Sequence, residues 1–190
     1  MFSELYLTKI ALQKQLPAGS YPADLPALRH LASVQELPLT RRVTFLVGEN
    51  GTGKSTLLEA VALAMGFNPE GGSINFRFST NDSHSQLFSL LTVGKGIRRP
   101  KTGFFLRAES FYNVASYLDT LQREDSGTLA AYGGVSLHEQ SHGESVLSLV
   151  RHRFGPNGLY LLDEPSNDLD LESLEWLEDF ILSRREPVLF

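Results

Sequence analysis

The chain has 190 residues and a mass of 21.1 kDa, enough for one ordinary domain whose core needs no covalent staples. Apolar residues make up 42% and charged residues 21%, the balance of a folded chain, and the absence of cysteine excludes disulfides, zinc-thiolate sites and thiol chemistry. With 17 basic against 22 acidic side chains the net charge is −5, which argues against indiscriminate nucleic-acid binding, and no apolar run approaches the roughly 20 residues of a membrane helix.

In chain order, residues 3–12 read as a first strand and the turn-rich PAGSYPADLP at 17–26 as irregular. RVTFLV at 42–47 is β-branched and apolar, a buried strand ending at Gly48. KSTLLEAVALAM at 54–65 predicts a helix, with Gly66 as its C-terminal cap, and INFRF at 74–78 a short strand. Residues 79–101 are polar and Gly- and Ser-bearing around SQLFSLLTV; GFFLRAE at 103–109 returns to strand character. Residues 110–123 carry Phe111, Val114, Ala115, Leu118 and Leu121 at helical spacing, and a glycine-bearing loop follows. Residues 143–154 predict a helix closed by GPNG, and LYLLDE at 159–164 a buried strand. Residues 171–183 place Leu171, Leu174, Leu177 and Ile181 on one face, with Asp170 as N-cap. PVLF at 187–190 begins a further strand, and the alternation of strands and helices points to an α/β sheet with mostly parallel strands. The start, MFSELYLTKIALQKQLP, lacks the pattern of a signal peptide, so the expected address is the cytoplasm.

Charge is unevenly spread. Residues 1–162 hold 15 basic and 13 acidic side chains, whereas 163–190 hold 2 and 9. The phosphate loop accounts for one part of the pattern. Gly48, Glu49, Asn50, Gly51, Thr52, Gly53, Lys54 and Ser55 fill every fixed position of G-x-x-x-x-G-K-[ST], between an apolar strand and a helix that begins with Lys54, Ser55 and Thr56. Glycines let the backbone curl so that its N–H groups point inward, and the helix N-terminus adds partial positive charge. Lys54 is placed to reach β- and γ-phosphates, and the Ser55 hydroxyl to ligate Mg²⁺. No [NT]-K-x-D segment is present to read guanine, so ATP is the expected nucleotide.

A second acidic site completes the chemistry. Four apolar residues, 159–162, are followed at a strand end by Asp163 and Glu164. Asp163 is the candidate anchor of the Mg²⁺ shell and Glu164 the candidate base that orients or deprotonates water.

DEPSNDLD, with Asn167, Asp168, Leu169 and Asp170, resembles the Walker B and D-loop of ABC-type ATPases. Ser141-His142-Gly143-Glu144, with Gly143 20 residues before Asp163, resembles their signature segment, with His142 replacing a glycine. FLVGENGTGKSTLLEAVALAMGFNPEGG, GFFLRAESFYNVA and AYGGVSLHEQSHGES make residues 1–162 similar to small bacterial ATPases related to RecF and SMC heads. Residues 163–190 look more like ABC-F proteins.

The resemblance implies an α/β P-loop NTPase fold, a three-layer sandwich with a mostly parallel central sheet, an antiparallel N-terminal portion and a helical signature region. It implies one domain over 1–190 with its core at 1–78 and 155–190 and the helical insertion at about 79–154. It also implies that the strand after Walker B lies between the Walker A and Walker B strands, and that ATP closes a head-to-tail homodimer sharing two sites. The family's glutamine near the metal has no counterpart here, and Glu109 stands nearest its place. The family's switch histidine follows the strand represented by PVLF, and the sequence ends at Phe190, before it. Tyr21 is the positional candidate to stack on adenine, but a tyrosine in a Pro-rich loop reads first as plain packing.

Other readings follow from the same residues. One is a nucleotide-binding module with little or no hydrolysis, because the switch histidine is missing; another is an accessory ATPase acting on a ribosome or DNA. Lys95, Arg98, Arg99 and Lys101 form a basic stretch read as a solvated loop in preference to a nucleic-acid contact. His138-Glu139-Gln140-Ser141-His142 matches the H-E-x-x-H zinc pattern, but flanking glycines argue against the continuous helix that chemistry needs.

Overall fold

The computed structural model describes residues 5–17, 19–76, 86–167, 169–184 and 186–190. Strand β1 (Leu7–Leu12) leads into helices α1 (Tyr21–Asp24) and α2 (Pro26–Val34), then strands β2 (Glu36–Pro38) and β3 (Val43–Thr44). Helix α3 (Lys54–Met65) follows, with β4 (Gly72–Ser73), β5 (Leu91–Lys95), β6 (Thr102–Arg107) and helix α4 (Phe111–Glu124). Helix α5 (His142–Arg153), β7 (Gly158–Asp163), α6 (Leu171–Ser183) and β8 (Val188–Leu189) come last.

The strands form two sheets. One is antiparallel, in the order β2-β1-β5. The other runs β3-β8-β7-β6-β4; its first four strands are parallel and β4 is antiparallel to β6. β8 thus lies between β3 and β7, the position the resemblance implied. The fold is mixed α/β with parallel and antiparallel pairing, as P-loop ATPases require.

Alternation along the central strands builds two cores, one on each face of the five-stranded sheet. Phe105, Leu159, Leu161 and Leu189 pack with Leu58 and Val61 of α3 and with Ile10 and Leu28 from the N-terminal elements. Phe104, Leu106, Tyr160, Leu162 and Val188 pack with Val114 and Leu118 of α4, Leu149 of α5, and Leu177 and Ile181 of α6. Every residue of β7 is buried, because helices or strands cover both of its faces.

Several elements differ from the sequence reading. Residues 17–26 were expected to be irregular, yet α1 occupies Tyr21–Asp24 and α2 starts at Pro26; both prolines sit in a first helical turn, where their missing N–H costs nothing. The 42–47 strand reduces to Val43–Thr44, and Phe45 and Val47 are 58% and 91% exposed. The reason is topological: β3 is the edge of its sheet. The strand expected at 74–78 is displaced to Gly72–Ser73 and ends in a turn, Phe76 N–H donating to Ser73 O; residues 77 and 78 lie outside the described residues. The stretch 79–101 contains β5, which pairs with β1. Leu171, expected on the buried face of its helix, is 73% exposed at the first turn, while Leu177 and Ile181 are buried.

Candidate functional site

The loop between β3 and α3 is shaped by its own sequence. Gly53 caps α3 at φ 94°, in the left-handed region, and a Cβ there would stand 2.9 Å from Leu25 Cβ. Thr52 Oγ1 donates to Glu49 O at 2.8 Å, and Ala27 N–H donates to Thr52 O at 2.9 Å, tying the loop to α2. Lys54 Nζ donates to Gly48 O at 2.7 Å and to Glu49 O at 2.9 Å. The ammonium therefore curls back over the loop and is held by two carbonyls of the loop itself.

β7 carries Asp163 to the same place. A cavity of about 400 Å³ is lined by Gly48, Asn50, Lys54, Asp163, Glu164 and Asn167, among others. Asp163 is buried, with the Ser55 hydroxyl beside it. Burial pushes its carboxyl above the usual carboxylate range, opposed by the Ser55 hydroxyl and Arg107; Glu164 and Glu109 add to the rise. The paired hydroxyl and carboxylate are hard oxygen donors of the kind Mg²⁺ selects.

Glu164 is exposed and has φ 53°, an uncommon conformation for a non-glycine residue and more so before Pro165. Asn167 Nδ2 donates to its Oε2 at 2.7 Å, which fixes the carboxylate over the turn. Asp168 lies outside the described residues. Leu169 packs on the core, and Asp170 caps α6, accepting from Ser173 N–H at 2.8 Å.

Ser141, His142, Gly143 and Glu144 lie at the start of α5, apart from this cavity. Ser141 Oγ donates to Glu144 Oε2 at 2.6 Å and accepts from Glu144 N–H at 3.3 Å, while Ser141 N–H donates to Glu144 Oε2 at 2.9 Å: a full capping box. Glu109 does not line the cavity either; its carboxylate rests on Arg107 Nη2 at 3.2 Å, with the side chain 77% exposed. Tyr21 is 69% exposed and lines neither this cavity nor the apolar one beside α2.

Glu59 and Arg107 are the site neighbours that motif reasoning passed over. Arg107 ends β6 in register with Asp163 and places Nη1 2.8 Å from Glu59 Oε2. The available signal was an arginine closing a buried strand, since a buried guanidinium demands acidic partners.

His138 and His142 belong to different elements. His138 lies within a short 3-10 turn, Leu137–Glu139, and meets Ser116 Oγ at 3.0 Å through Nε2; His142 is in α5 against Phe111. The two imidazoles do not share a helical face. Among the described residues no group of three His, Asp or Glu side chains is arranged to hold a metal by itself. Of the basic stretch, Lys95 donates to Ala64 O at 3.0 Å near the end of α3, so it is partnered within the fold.

A family model described as an AAA domain matches residues 28–123, which include the phosphate loop and β6. The chain belongs to this family. Similar curated proteins include an ATP-binding protein Uup from Escherichia coli, 31% identical over 76% of this chain and 22% of that protein. A Uup from Buchnera aphidicola is 28% identical over 76% of this chain and 24% of that protein. The uncharacterized ABC transporter ATP-binding protein YfmR of Bacillus subtilis is 27% identical over 72% of this chain and 27% of that protein. The chain spans about a quarter of the length of these relatives. No solved structure matches. The family match and these relatives make the chain an ABC-type P-loop ATPase. Among its described residues no helix is long and apolar enough to cross a membrane.

Proposed function

We propose that this ABC-type ATPase binds ATP with Mg²⁺ at residues 48–56 and hydrolyses it with Glu164 as the base. The observation that carries the reading is the convergence of Lys54, Asp163 and Glu164 on one cavity, with the Ser55 hydroxyl beside Asp163. In the nucleotide-bound state, phosphate oxygens replace Gly48 O and Glu49 O as acceptors for Lys54, and the loop N–H groups turn to the phosphates. Ser55 and Asp163 would hold Mg²⁺, which would offset the charge of the transferring phosphoryl group. Glu164 takes the proton of the attacking water, with Asn167 keeping its carboxylate in place.

The start of α5 stands apart from the cavity, so Ser141 and Gly143 serve a site on another subunit. ATP then closes a head-to-tail homodimer and hydrolysis reopens it. On this reading the two apolar cores are the layers of an ABC-type sandwich, with 79–154 contributing the helical region (α4 and α5) beside the sheet strands β5 and β6, and 1–78 with 155–190 supplying the rest of the nucleotide core. Glu109 occupies the place of the family's metal-side glutamine, while its contact with Arg107 keeps it on the rim. The names of the relatives support ATP as the nucleotide.

The test compares ATP binding, phosphate release and particle mass by light scattering, with and without Mg-ATP, in the wild type and Glu164→Gln. The expected result is turnover in the wild type, lowered about 100-fold or more in the variant, with ATP retained and dimers accumulating. Binding without turnover in the wild type selects the module that holds nucleotide without hydrolysis. Stimulation of turnover by ribosomes or DNA, sensitive to salt, selects the accessory ATPase. No ATP binding overturns the proposal.

A further inference from the structure

Four carboxylates crowd the end of the β6–β7 pair: Glu59, Glu109, Asp163 and Glu164. Two of them have almost no water. Glu59 and Asp163 side chains are 12% and 8% exposed, and Arg107 between them is 14% exposed. Burial strips both of hydration, and the Asp163 charge is further opposed by Glu164 and Glu109. Lys54 does not relieve this, because its ammonium is turned onto the loop carbonyls. The relief comes from Arg107. Its Nη1 donates to Glu59 Oε2 at 2.8 Å and to Pro69 O at 2.9 Å, and its Nη2 donates to Glu109 Oε2 at 3.2 Å.

The third arm differs. Arg107 Nε is buried without a hydrogen-bond partner and lies 3.8 Å from Asp163 Oδ2. A buried guanidinium N–H left unbonded is unusual, since it forfeits a charge-assisted bond. Here Glu59 and Pro69 O fix the fork at a distance where it feels the Asp163 charge without occupying an Asp163 lone pair. Arg107 thus leaves the Asp163 carboxylate oxygens available.

We propose that Arg107 is a resident counter-cation, a positioning residue that holds the acidic end of β7 assembled while no divalent ion is bound and that thereby sets the affinity for the ion. This rests on the reading of Ser55 and Asp163 as the metal-holding pair. When a divalent ion arrives, its charge adds to that of Arg107, and the net charge left on Arg107 after Glu59 and Glu109 decides how strongly the ion is opposed. Changes to the two sides of the Arg107–Glu59 pair therefore shift metal affinity in opposite directions. A purely structural role for the pair predicts loss in both.

The probe is Mn²⁺ titrated calorimetrically into the 190-residue protein saturated with the non-hydrolysable analogue AMP-PNP, alongside thermal denaturation without metal or nucleotide. Arg107→Gln is expected to lower the metal-free melting temperature and tighten Mn²⁺ binding about ten-fold. Arg107→Lys, which keeps the charge and loses the fork, is expected to bind Mn²⁺ within about two-fold of the wild type. Glu59→Gln, which leaves Arg107 less neutralised, is expected to weaken Mn²⁺ binding. Arg107→Gln binding Mn²⁺ no tighter than the wild type overturns the proposal, as does Arg107→Lys behaving like Arg107→Gln. If Arg107→Gln does not fold, Glu59→Gln decides, and unchanged or tighter binding there overturns it. The underlying metal reading fails separately, if wild type with AMP-PNP binds no Mn²⁺ or if Asp163→Asn binds it as the wild type does.

Discussion

At the scale of single residues, the backbone of Glu164 carries the sharpest conflict between stability and chemistry. An L-residue in the left-handed region costs about 1–2 kcal/mol, and the following proline narrows the choice further. Glu164 holds φ 53° all the same, with its carboxylate over the turn on Asn167. Strain kept at a candidate catalytic group is the pattern expected when geometry is maintained for function. Replacing Glu164 with glycine removes the strain and the carboxylate together. Glu164→Gly is expected to raise unfolding stability by about 0.5 kcal/mol, after the entropy cost of glycine, while abolishing turnover. Urea denaturation beside phosphate release reads both changes; a destabilised Glu164→Gly removes the strain argument.

At the scale of elements, α5 shows how local sequence sets a boundary. Its first turn is closed by the reciprocal bonds of Ser141 and Glu144, so Ser141→Ala is expected to cost about 1 kcal/mol in urea denaturation, whatever it does to nucleotide chemistry. Those bonds also hold the Glu144 carboxyl below its ordinary value of 4.5. A depressed carboxylate stabilises fully above its unfolded value, and that stabilisation fades as pH falls through the lower folded value. Glu144→Gln is therefore expected to flatten the acid limb of the stability curve, seen in denaturation between neutral pH and the acid transition. β7 works at the other end of the pH scale. Tyr160 is buried, donates to Gly155 O at 2.6 Å, and burial pushes its phenol up to about 12. Between pH 10 and 12 the unfolded chain ionises this group while the native state keeps its proton, so stability falls with rising pH by as much as about 1.4 kcal/mol per unit. Tyr160→Phe is expected to be less stable at pH 8 and to narrow that gap as pH rises to 11, in parallel urea titrations.

These elements also show what the sequence made legible. The phosphate loop, α3 with its Gly66 cap, α4, α5, β7 and α6 follow from periodicity, caps and a four-residue apolar run ending in two acids. Asp163 and Glu164 were findable because a buried strand must deliver its terminal side chains to one place. Helices α1 and α2 were obscured because Pro22 and Pro26 read as breakers when each sits in the first turn of a helix. β5 was hidden by Gly94, whose missing side chain is what lets β1 approach: a Cβ there would meet Lys9 Cγ at 2.6 Å. The role of Arg107 depends on the register that sets it opposite Asp163, and pairing across a parallel sheet is not written in either strand alone.

At the scale of the whole molecule, the order β3-β8-β7-β6-β4 makes the strand before the phosphate loop an edge. β3 commits Arg42 O, Thr44 O and Leu46 N–H to β8, so the alternate backbone groups of Val43 and Phe45 face the open side. Apolar surface flanks this edge. Phe45 is 58% exposed and stacks on Phe190 with ring centroids 4.9 Å apart, and Leu182 of α6 is 62% exposed at an adjacent cavity of about 430 Å³. An exposed edge with apolar margins promotes association that needs no ligand, opposed here by a net charge of −5. Beside the ATP-dependent dimer proposed above, a second self-association that depends on concentration and salt alone is therefore expected. A charge on the apolar margin separates them. Leu182→Lys leaves the 48–56 loop, Asp163 and Glu164 untouched, and is expected to lower the scattering mass of nucleotide-free protein across a concentration series. In the Glu164→Gln background it should leave the ATP-induced mass increase unchanged. Equal masses for Leu182→Lys and wild type at every concentration and salt level exclude this margin as a contact, and loss of the ATP-induced increase assigns it to the nucleotide-dependent interface.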